Sequence, residues 1–147
     1  MPKPVTTLCL DDDTVVLEVL RKFLISEGHQ VIATASVQDA LKVLDTAPPL
    51  TFCISDYQMP EMSGDDFLKI VAEKSPDTIR VLMSSYANRK RIHQATLDGV
   101  CDTFVQKPFS LPDLIHILDT HRQVKELNSY TAGFSENLLK KYGRQKF

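Results

Sequence analysis

Short apolar runs alternate with amphipathic helical patterns five times along this chain. The runs are rich in β-branched residues and stop abruptly at polar or charged residues, as buried parallel strands do. Each run is followed by a segment whose apolar residues recur every three or four positions, which predicts a helix. This alternation indicates βαβ units, so we expect a doubly wound α/β fold whose parallel sheet has helices on both faces. The predicted strands cover residues 6–10, 30–35, 51–55, 79–83 and 102–105.

Capping residues mark the ends of the predicted helices. Asp13 or Thr14 can cap the first helix, which Gly28 ends, and Ser36 suits the start of the second. The helices are predicted over 14–27 and 36–45, after Gly64, over 88–99, and from 110 past 124.

Composition places the chain among ordinary globular proteins. Its 147 residues, 43% hydrophobic and 24% charged, suffice for one domain with a sizeable core. No apolar run has the length of a membrane span, and the first residues lack the apolar core of a signal peptide. Cys9, Cys53 and Cys101 are an odd count without metal-ligand spacing, so we expect buried, reduced thiols and a cytoplasmic location.

Charge is distributed unevenly along the chain. Residues 1–120 hold 11 Lys and Arg against 17 Asp and Glu, whereas residues 121–147 hold 6 against 2. The basic tail could contact nucleic acid or an acidic partner. We favour the simpler interpretation of a solvated segment and expect neither direct nucleic-acid binding nor membrane contact. We interpret a second basic group as a solvated face of the fourth helix: Arg89, Lys90, Arg91 and His93.

Carboxylates follow the first and third predicted strands where these strands end. Asp11, Asp12 and Asp13 end the first strand, and Asp56 ends the third. In open α/β sheets, ligands bind outside the carboxyl ends of the strands. Carboxylates gathered there repel each other and stay ionised only if a cation joins them, and Mg²⁺ prefers such oxygen ligands. The sequence therefore predicts a Mg²⁺ site at this edge of the sheet.

A hydroxyl and an ammonium group follow the fourth and fifth predicted strands. Ser84, with Ser85 as the competing candidate, follows the fourth strand, and Lys107 follows the fifth. These groups suit transfer of a phosphoryl group to Asp56, because an ionised carboxylate can attack phosphorus without a general base. The ammonium and the hydroxyl would bind phosphoryl oxygens as charge develops, and Mg²⁺ would neutralise them.

Four motifs in this order resemble those of bacterial two-component response-regulator receiver domains, the CheY-like superfamily. The resemblance covers residues 6 to about 122 and implies a flavodoxin-like sheet of five parallel strands in the order 2-1-3-4-5. It also implies a receiver domain at 1–122 followed by a helical extension or linker at 123–147. In that extension we expect a linker at 128–133 and a short helix at 135–142. The motifs occupy residues 10–13, 56–64, 83–87 and 107–109.

The resemblance implies a role for each residue of the site. Asp56 is the phosphoacceptor, Lys107 and the switch hydroxyl of Ser84 contact the phosphoryl group, and Phe104 is the switch aromatic. A cis peptide bond is expected before Pro108. The implied Mg²⁺ ligands are Asp12 directly, Asp11 largely through water, Asp56, and the backbone carbonyl of Gln58.

The implied function is a phosphorylation-controlled signalling switch rather than a metabolic enzyme. A sensor histidine kinase or phosphotransfer protein would donate the phosphoryl group. The domain itself would catalyse only the transfer and a slow autodephosphorylation. Phosphorylation would shift the surface formed by the fourth helix, fifth strand and fifth helix. That surface and the C-terminal extension would bind a second copy or an output domain, which we expect this chain not to contain.

Two other functions remain open at this point. The segment 11–15 fits the nucleophile signature of haloacid-dehalogenase-type phosphatases, with Asp11 as the nucleophile. Such enzymes also need a late pair of acidic residues, and this chain has only isolated ones after Lys107. The other alternative is a pseudo-receiver that binds partners without phosphorylation, against which Asp56 and Lys107 argue.

Overall fold

The structure is a computed structural model that describes the backbone of residues 4–142 and the side chains of residues 4–130 apart from Tyr86. Five strands and five α-helices alternate along these residues, and the 3-10 helix Tyr86–Asn88 precedes the fourth α-helix. The strands are β1 (Thr6–Leu10), β2 (Gln30–Thr34), β3 (Phe52–Asp56), β4 (Ile79–Ser84) and β5 (Thr103–Gln106). The helices are α1 (Thr14–Ser26), α2 (Val37–Thr46), α3 (Gly64–Lys74), α4 (Arg89–Leu97) and α5 (Leu111–Tyr142).

The five strands form one parallel sheet in the order β2-β1-β3-β4-β5, which confirms the predicted fold and strand order. Every residue of β1 and β3 is buried, as expected of central strands covered on both faces. One core cluster packs the apolar sides of α2, α3 and α4 against Leu8, Leu10 and Leu82 of the sheet. The buried residues of α1 lie outside that cluster.

Helix capping follows the predicted pattern. The Asp13 carboxylate accepts hydrogen bonds from Val15 N at 3.0 Å and Val16 N at 3.4 Å, so Asp13 rather than Thr14 caps α1. Gly28, with a φ of 90°, follows the end of that helix. The Ser36 hydroxyl accepts a bond from Asp39 N at 3.1 Å at the start of α2. Both caps place their helices close to the predicted boundaries.

The C-terminal helix differs from the expectation. The prediction of a linker at 128–133 was wrong, because α5 runs without a break from Leu111 to Tyr142. Residues 113–142 contain no proline, and each residue added to an existing helix costs little. The chain divides into two compact units after Leu114, and the predicted domain boundary at residue 122 stays a prediction. Among the helices of the described residues, we find none that is both long and apolar enough to cross a membrane.

Candidate functional site

Three carboxylates meet at the carboxyl ends of β1 and β3. Asp11 follows β1 and is fully buried, Asp56 ends β3 and is 8% exposed, and Asp12 is exposed. One oxygen from each of them lies within 4.8 Å of the other two. The sheet order explains this cluster, because β1 and β3 pair directly with each other. Asp13, the fourth acidic residue of this region, instead caps α1.

Lys107 lies between two of these carboxylates. Its Nζ is 2.9 Å from Asp11 Oδ2 and 3.1 Å from Asp56 Oδ1. Lys107 follows β5, and its backbone N–H donates to the Ser84 carbonyl at 2.7 Å, which extends the pairing of β4 and β5. The bond to Pro108 is cis, as the resemblance implied. The ammonium therefore links the ends of three different strands.

Burial and like charge act on the Asp56 carboxylate. Burial raises the pKa of Asp56 above its usual value, the charge of Asp11 raises it further, and Lys107 partly opposes both. Burial alone would lower the pKa of Lys107. The hydrogen bond and charge of Asp11, together with Asp56, outweigh that effect and raise it. Burial and the Asp11 charge therefore disfavour the ionised form of Asp56, and an added cation would stabilise that form.

The raised pKa of Asp56 predicts a pH-dependent gain in stability for Asp56→Asn. The folded protein holds the Asp56 proton more tightly than the unfolded chain does. The contribution of Asp56 to stability is therefore most favourable below the ordinary pKa of 3.8 and is lost as the pH rises through the raised value. In chelator, the melting temperature of Asp56→Asn minus that of wild type should grow from acidic to neutral pH. The exposed control Asp77→Asn should give a flat difference, and a flat difference for Asp56→Asn would contradict the repulsion.

The donor set fits a hard divalent cation. Carboxylate oxygens are the ligands that Mg²⁺ prefers, and this cluster could hold a metal ion. The oxygens of Asp11 already have partners, since Oδ1 accepts from Asp13 N at 2.9 Å and Oδ2 accepts from Lys107. Asp12 is exposed and borders the same cavity as Asp56. The arrangement therefore favours Asp12 over Asp11 for direct contact with a cation.

The cluster opens into a polar cavity of about 310 Å³. Its walls combine carboxylates, hydroxyls, two amides and an ammonium, which suits an anionic group held together with a cation. The sheet brings these residues together from the ends of four strands. The cavity is lined by Asp12, Asp56, Tyr57, Gln58, Ser84, Ser85, Asn88 and Lys107.

Ser84 borders this cavity and a second, much smaller one of about 10 Å³. Its hydroxyl is buried and donates to the Ser85 carbonyl at 2.8 Å. Phe104 of β5 lines the small cavity from the other side and is 37% exposed. The small space cannot hold a phenyl ring, so Phe104 occupies an outward position here. The structure thus places Ser84 between the carboxylate cluster and the surface that carries Phe104.

A contact between Tyr57 and Arg91 was missed by the sequence analysis. Arg91 is exposed, as the interpretation of a solvated face predicted, and its guanidinium also donates to the Tyr57 hydroxyl at 3.0 Å. Tyr57 is 5% exposed, and its backbone N–H donates to the Met83 carbonyl at 2.8 Å. The residue after Asp56 is therefore bonded both to β4 and to α4. The only local signal was an aromatic residue next to a buried carboxylate.

Gly64 lies against the backbone at the end of β3. A Cβ at this position would lie 2.1 Å from the Asp56 carbonyl oxygen and 2.9 Å from Tyr57 Cα. The Gly64 N–H donates to the Tyr57 carbonyl at 2.7 Å. Both obstructing atoms belong to the backbone, so no side-chain movement could make room. The first turn of α3 can therefore pack this closely against the end of β3 only when residue 64 is glycine.

Residues 7–119 match the family model described as the response regulator receiver domain. The chain is 32% identical over 124 residues to the hydrogenase transcriptional regulatory protein HoxA of Cupriavidus necator, over 84% of this chain and 25% of HoxA. It is 34% identical over 114 residues to the two-component response regulator ORR12 of Oryza sativa subsp. japonica, over 76% of this chain and 93% of that protein. The chain spans about a quarter of the length of the first curated relatives it matches.

Solved structures share the fold. One is the response regulator receiver domain protein (CheY-like) from Methanospirillum hungatei, with a TM-score of 0.79 and 21% identity over 86% of this chain and 99% of that chain. At that identity the likeness concerns the fold alone. The family match covers most of the chain and all four strand ends that form the carboxylate site. The chain therefore belongs to the response regulator receiver domain family of two-component signalling systems.

Proposed function

We propose that Asp56 accepts a phosphoryl group from a histidine kinase or phosphotransfer protein and that this transfer requires Mg²⁺. The observation that carries the proposal is the position of Lys107 Nζ, which contacts Asp11 and Asp56 beside a cavity of polar groups. An ammonium, a hydroxyl and a cation site around one carboxylate are the parts that phosphoryl transfer needs. The same features support the family's implied role as a signalling switch.

Each residue of the site has its own role in the proposed phosphoryl transfer. An Asp56 oxygen attacks phosphorus, the bond from phosphorus to the donor histidine nitrogen breaks, and an aspartyl phosphate forms. Lys107 and Ser84 donate hydrogen bonds to the transferring oxygens. Asp12, Asp56 and the Gln58 carbonyl would hold Mg²⁺ directly, with Asp11 acting largely through water. When bound, Mg²⁺ supplies neutralising charge for the phosphoryl oxygens. Slow hydrolysis at the same site would return the domain to its resting state.

Labelling by a small phosphodonor tests the acceptor and the metal requirement. Acetyl phosphate with Mg²⁺ should add one phosphoryl group to the wild-type chain, detected by intact mass, and chelator should prevent it. Asp56→Asn should lose the label because Asp56 is the carboxylate that both contacts Lys107 and lines the polar cavity. The exposed control Asp77→Asn should be labelled normally.

The same experiment separates the alternative functions. Labelling that persists in Asp56→Asn and disappears in Asp11→Asn would support a phosphatase that uses Asp11. No label on the folded wild-type chain with several donors would support a pseudo-receiver. Either result would reject the proposed acceptor.

We also propose that phosphorylation shifts the surface that contains α4 and β5. A phosphoryl oxygen on Asp56 would compete with the Ser85 carbonyl for the Ser84 hydroxyl. Movement of Ser84 would enlarge the small cavity that it shares with Phe104, and the ring would turn inward. This is a shift between conformers driven by their different affinity for the phosphoryl group.

Ser84→Ala should uncouple labelling from this shift. Beryllofluoride and Mg²⁺ should move the amide resonances of α4 and β5 in the wild-type chain. In Ser84→Ala the same addition should move only resonances near Asp56, because the hydroxyl that responds to the ligand is gone. Ser85→Ala is the matched control, since its backbone carbonyl remains, and it should behave as wild type. Equal α4 and β5 shifts in both variants would contradict the role of Ser84.

A further inference from the structure

The part of α5 that lies in the second compact unit exposes a row of apolar side chains. Val124 is 49% exposed, Leu127 is 62% exposed and Tyr130 is 74% exposed. They lie within a continuous helix of 32 residues. Leu118, by contrast, is fully buried. Exposed apolar residues that recur along one side of a helix indicate a surface for association.

The spacing of these residues follows a heptad repeat. Val124 and Leu127 occupy the two apolar positions of one heptad, and the heptads before and after it each hold one apolar residue and one threonine at these positions. Three heptads span about 30 Å of helix at 1.5 Å per residue. The first position holds Ile117, Val124, Thr131 and Leu138, and the second holds Thr120, Leu127 and Phe134.

Between residues 117 and 140, charged residues avoid this seam and the positions beside it, and Lys141 occupies the next second position. All six charged residues between 117 and 140 fall on the opposite side of the helix, at about 100° per residue. The positions that flank the seam hold uncharged residues throughout: His121, Gln123, Asn128, Tyr130, Ser135 and Asn137. The charged residues are Asp119, Arg122, Lys125, Glu126, Glu136 and Lys140.

We propose that this seam binds the same seam of a second copy of the chain as a parallel two-stranded coiled coil. β-branched Ile117 and Val124 at the first position, with Leu127 at the second, favour two strands over three or four. Because the flanking positions are uncharged, two identical helices can align without like charges meeting. A partner helix with charged residues at the positions that flank its own seam would meet no residue of opposite charge on α5. Thr120 and Thr131 weaken the seam, so the dimer dissociates on dilution.

Light scattering of the full chain over a concentration series tests the dimer. The mass of the wild-type chain should rise from monomer to dimer as concentration increases. Leu127→Asp should remain monomeric, because it places a charge in the seam. Ser129→Asp adds the same charge two residues later on the charged side and should dimerise as wild type does. Circular dichroism establishes that each variant is folded. A wild-type chain that is monomeric throughout, or dimerisation of Leu127→Asp, would overturn the proposal.

Disulfide cross-linking tests the parallel arrangement. The native cysteines Cys9, Cys53 and Cys101 are buried, so a new cysteine on α5 would be the reactive thiol. In a parallel pair each seam residue faces its own counterpart. Leu127→Cys should therefore cross-link about tenfold faster than Ser129→Cys under mild oxidation, because a disulfide needs closely spaced Cα atoms. Equal rates, or no cross-link in a dimeric Leu127→Cys chain, would reject the parallel coiled coil. This inference does not depend on phosphorylation of Asp56.

Discussion

Lys107→Met should lower the free energy of unfolding of the metal-free protein by about 3 kcal/mol. The substitution keeps most of the side-chain volume but removes the charge that contacts Asp11 and Asp56, leaving two buried carboxylates without a cation. The estimate is at the lower end for buried pairs because the Lys107 side chain is 27% exposed. Urea denaturation in chelator, followed by circular dichroism, measures the loss.

Two further variants isolate the cause of that loss. Lys69→Met removes an exposed lysine that contacts Asp66 at 3.4 Å on one helix and should change stability by less than about 0.5 kcal/mol. Adding Asp56→Asn to Lys107→Met should recover much of the lost stability, because one repelling charge is gone. If Lys107→Met is as stable as wild type, the carboxylates do not depend on the lysine. A double variant no more stable than Lys107→Met would show that packing, rather than charge, explains the loss.

Gly64→Ala should destabilise the protein by about 3 kcal/mol or more, against the usual direction for a helix. In the interior of an ordinary helix, alanine is more favourable than glycine by about 0.5–1 kcal/mol. Here the added Cβ would lie 2.1 Å from the Asp56 carbonyl oxygen, so either the end of β3 or the start of α3 must move. Phosphoryl labelling of Asp56 should fall with the same substitution.

The adjacent Ser63→Ala is the matched control for Gly64→Ala. Ser63 occupies the N-cap of α3 but its side chain makes no capping hydrogen bond, so little should be lost. Urea denaturation of the three proteins gives the comparison. A Gly64→Ala protein more stable than wild type would show that helix propensity outweighs the close contact.

The sheet and the carboxylate cluster could be predicted because local patterns determine both. Short apolar runs predicted the strands, and apolar residues recurring every three or four positions predicted the helices. The parallel strands must end at the same edge of the sheet. Sequence alone could not decide which of two adjacent carboxylates points inward. Asp11 is fully buried and bonded to Lys107, whereas Asp12 is exposed. That difference depends on the pleat and twist at the end of β1, which residue types do not specify.

Two features escaped the sequence analysis for different physical reasons. The bond between Arg91 and Tyr57 joins residues 34 positions apart, and nothing in the local pattern of α4 distinguishes Arg91 from its basic neighbours. The continuation of α5 through 128–133 was missed because turn-forming residues were weighed without the helix that precedes them. Asn128 and Ser129 are poor initiators of a helix, but they cost little within one that already exists.

The ion pair between Asp11 and Lys107 also bears on the order of folding. It joins residues 96 positions apart, so nearly the whole sheet must be assembled before the two side chains meet. Closing so long a loop costs entropy that only the packed strands between them can offset. Asp11, which follows β1, is synthesised early, whereas Lys107, the lysine that pairs with it, is synthesised only after β5. A chain interrupted before β5 would therefore carry Asp11 and Asp56 without the Lys107 ammonium that pairs with both, so the site is complete only when the fold is complete.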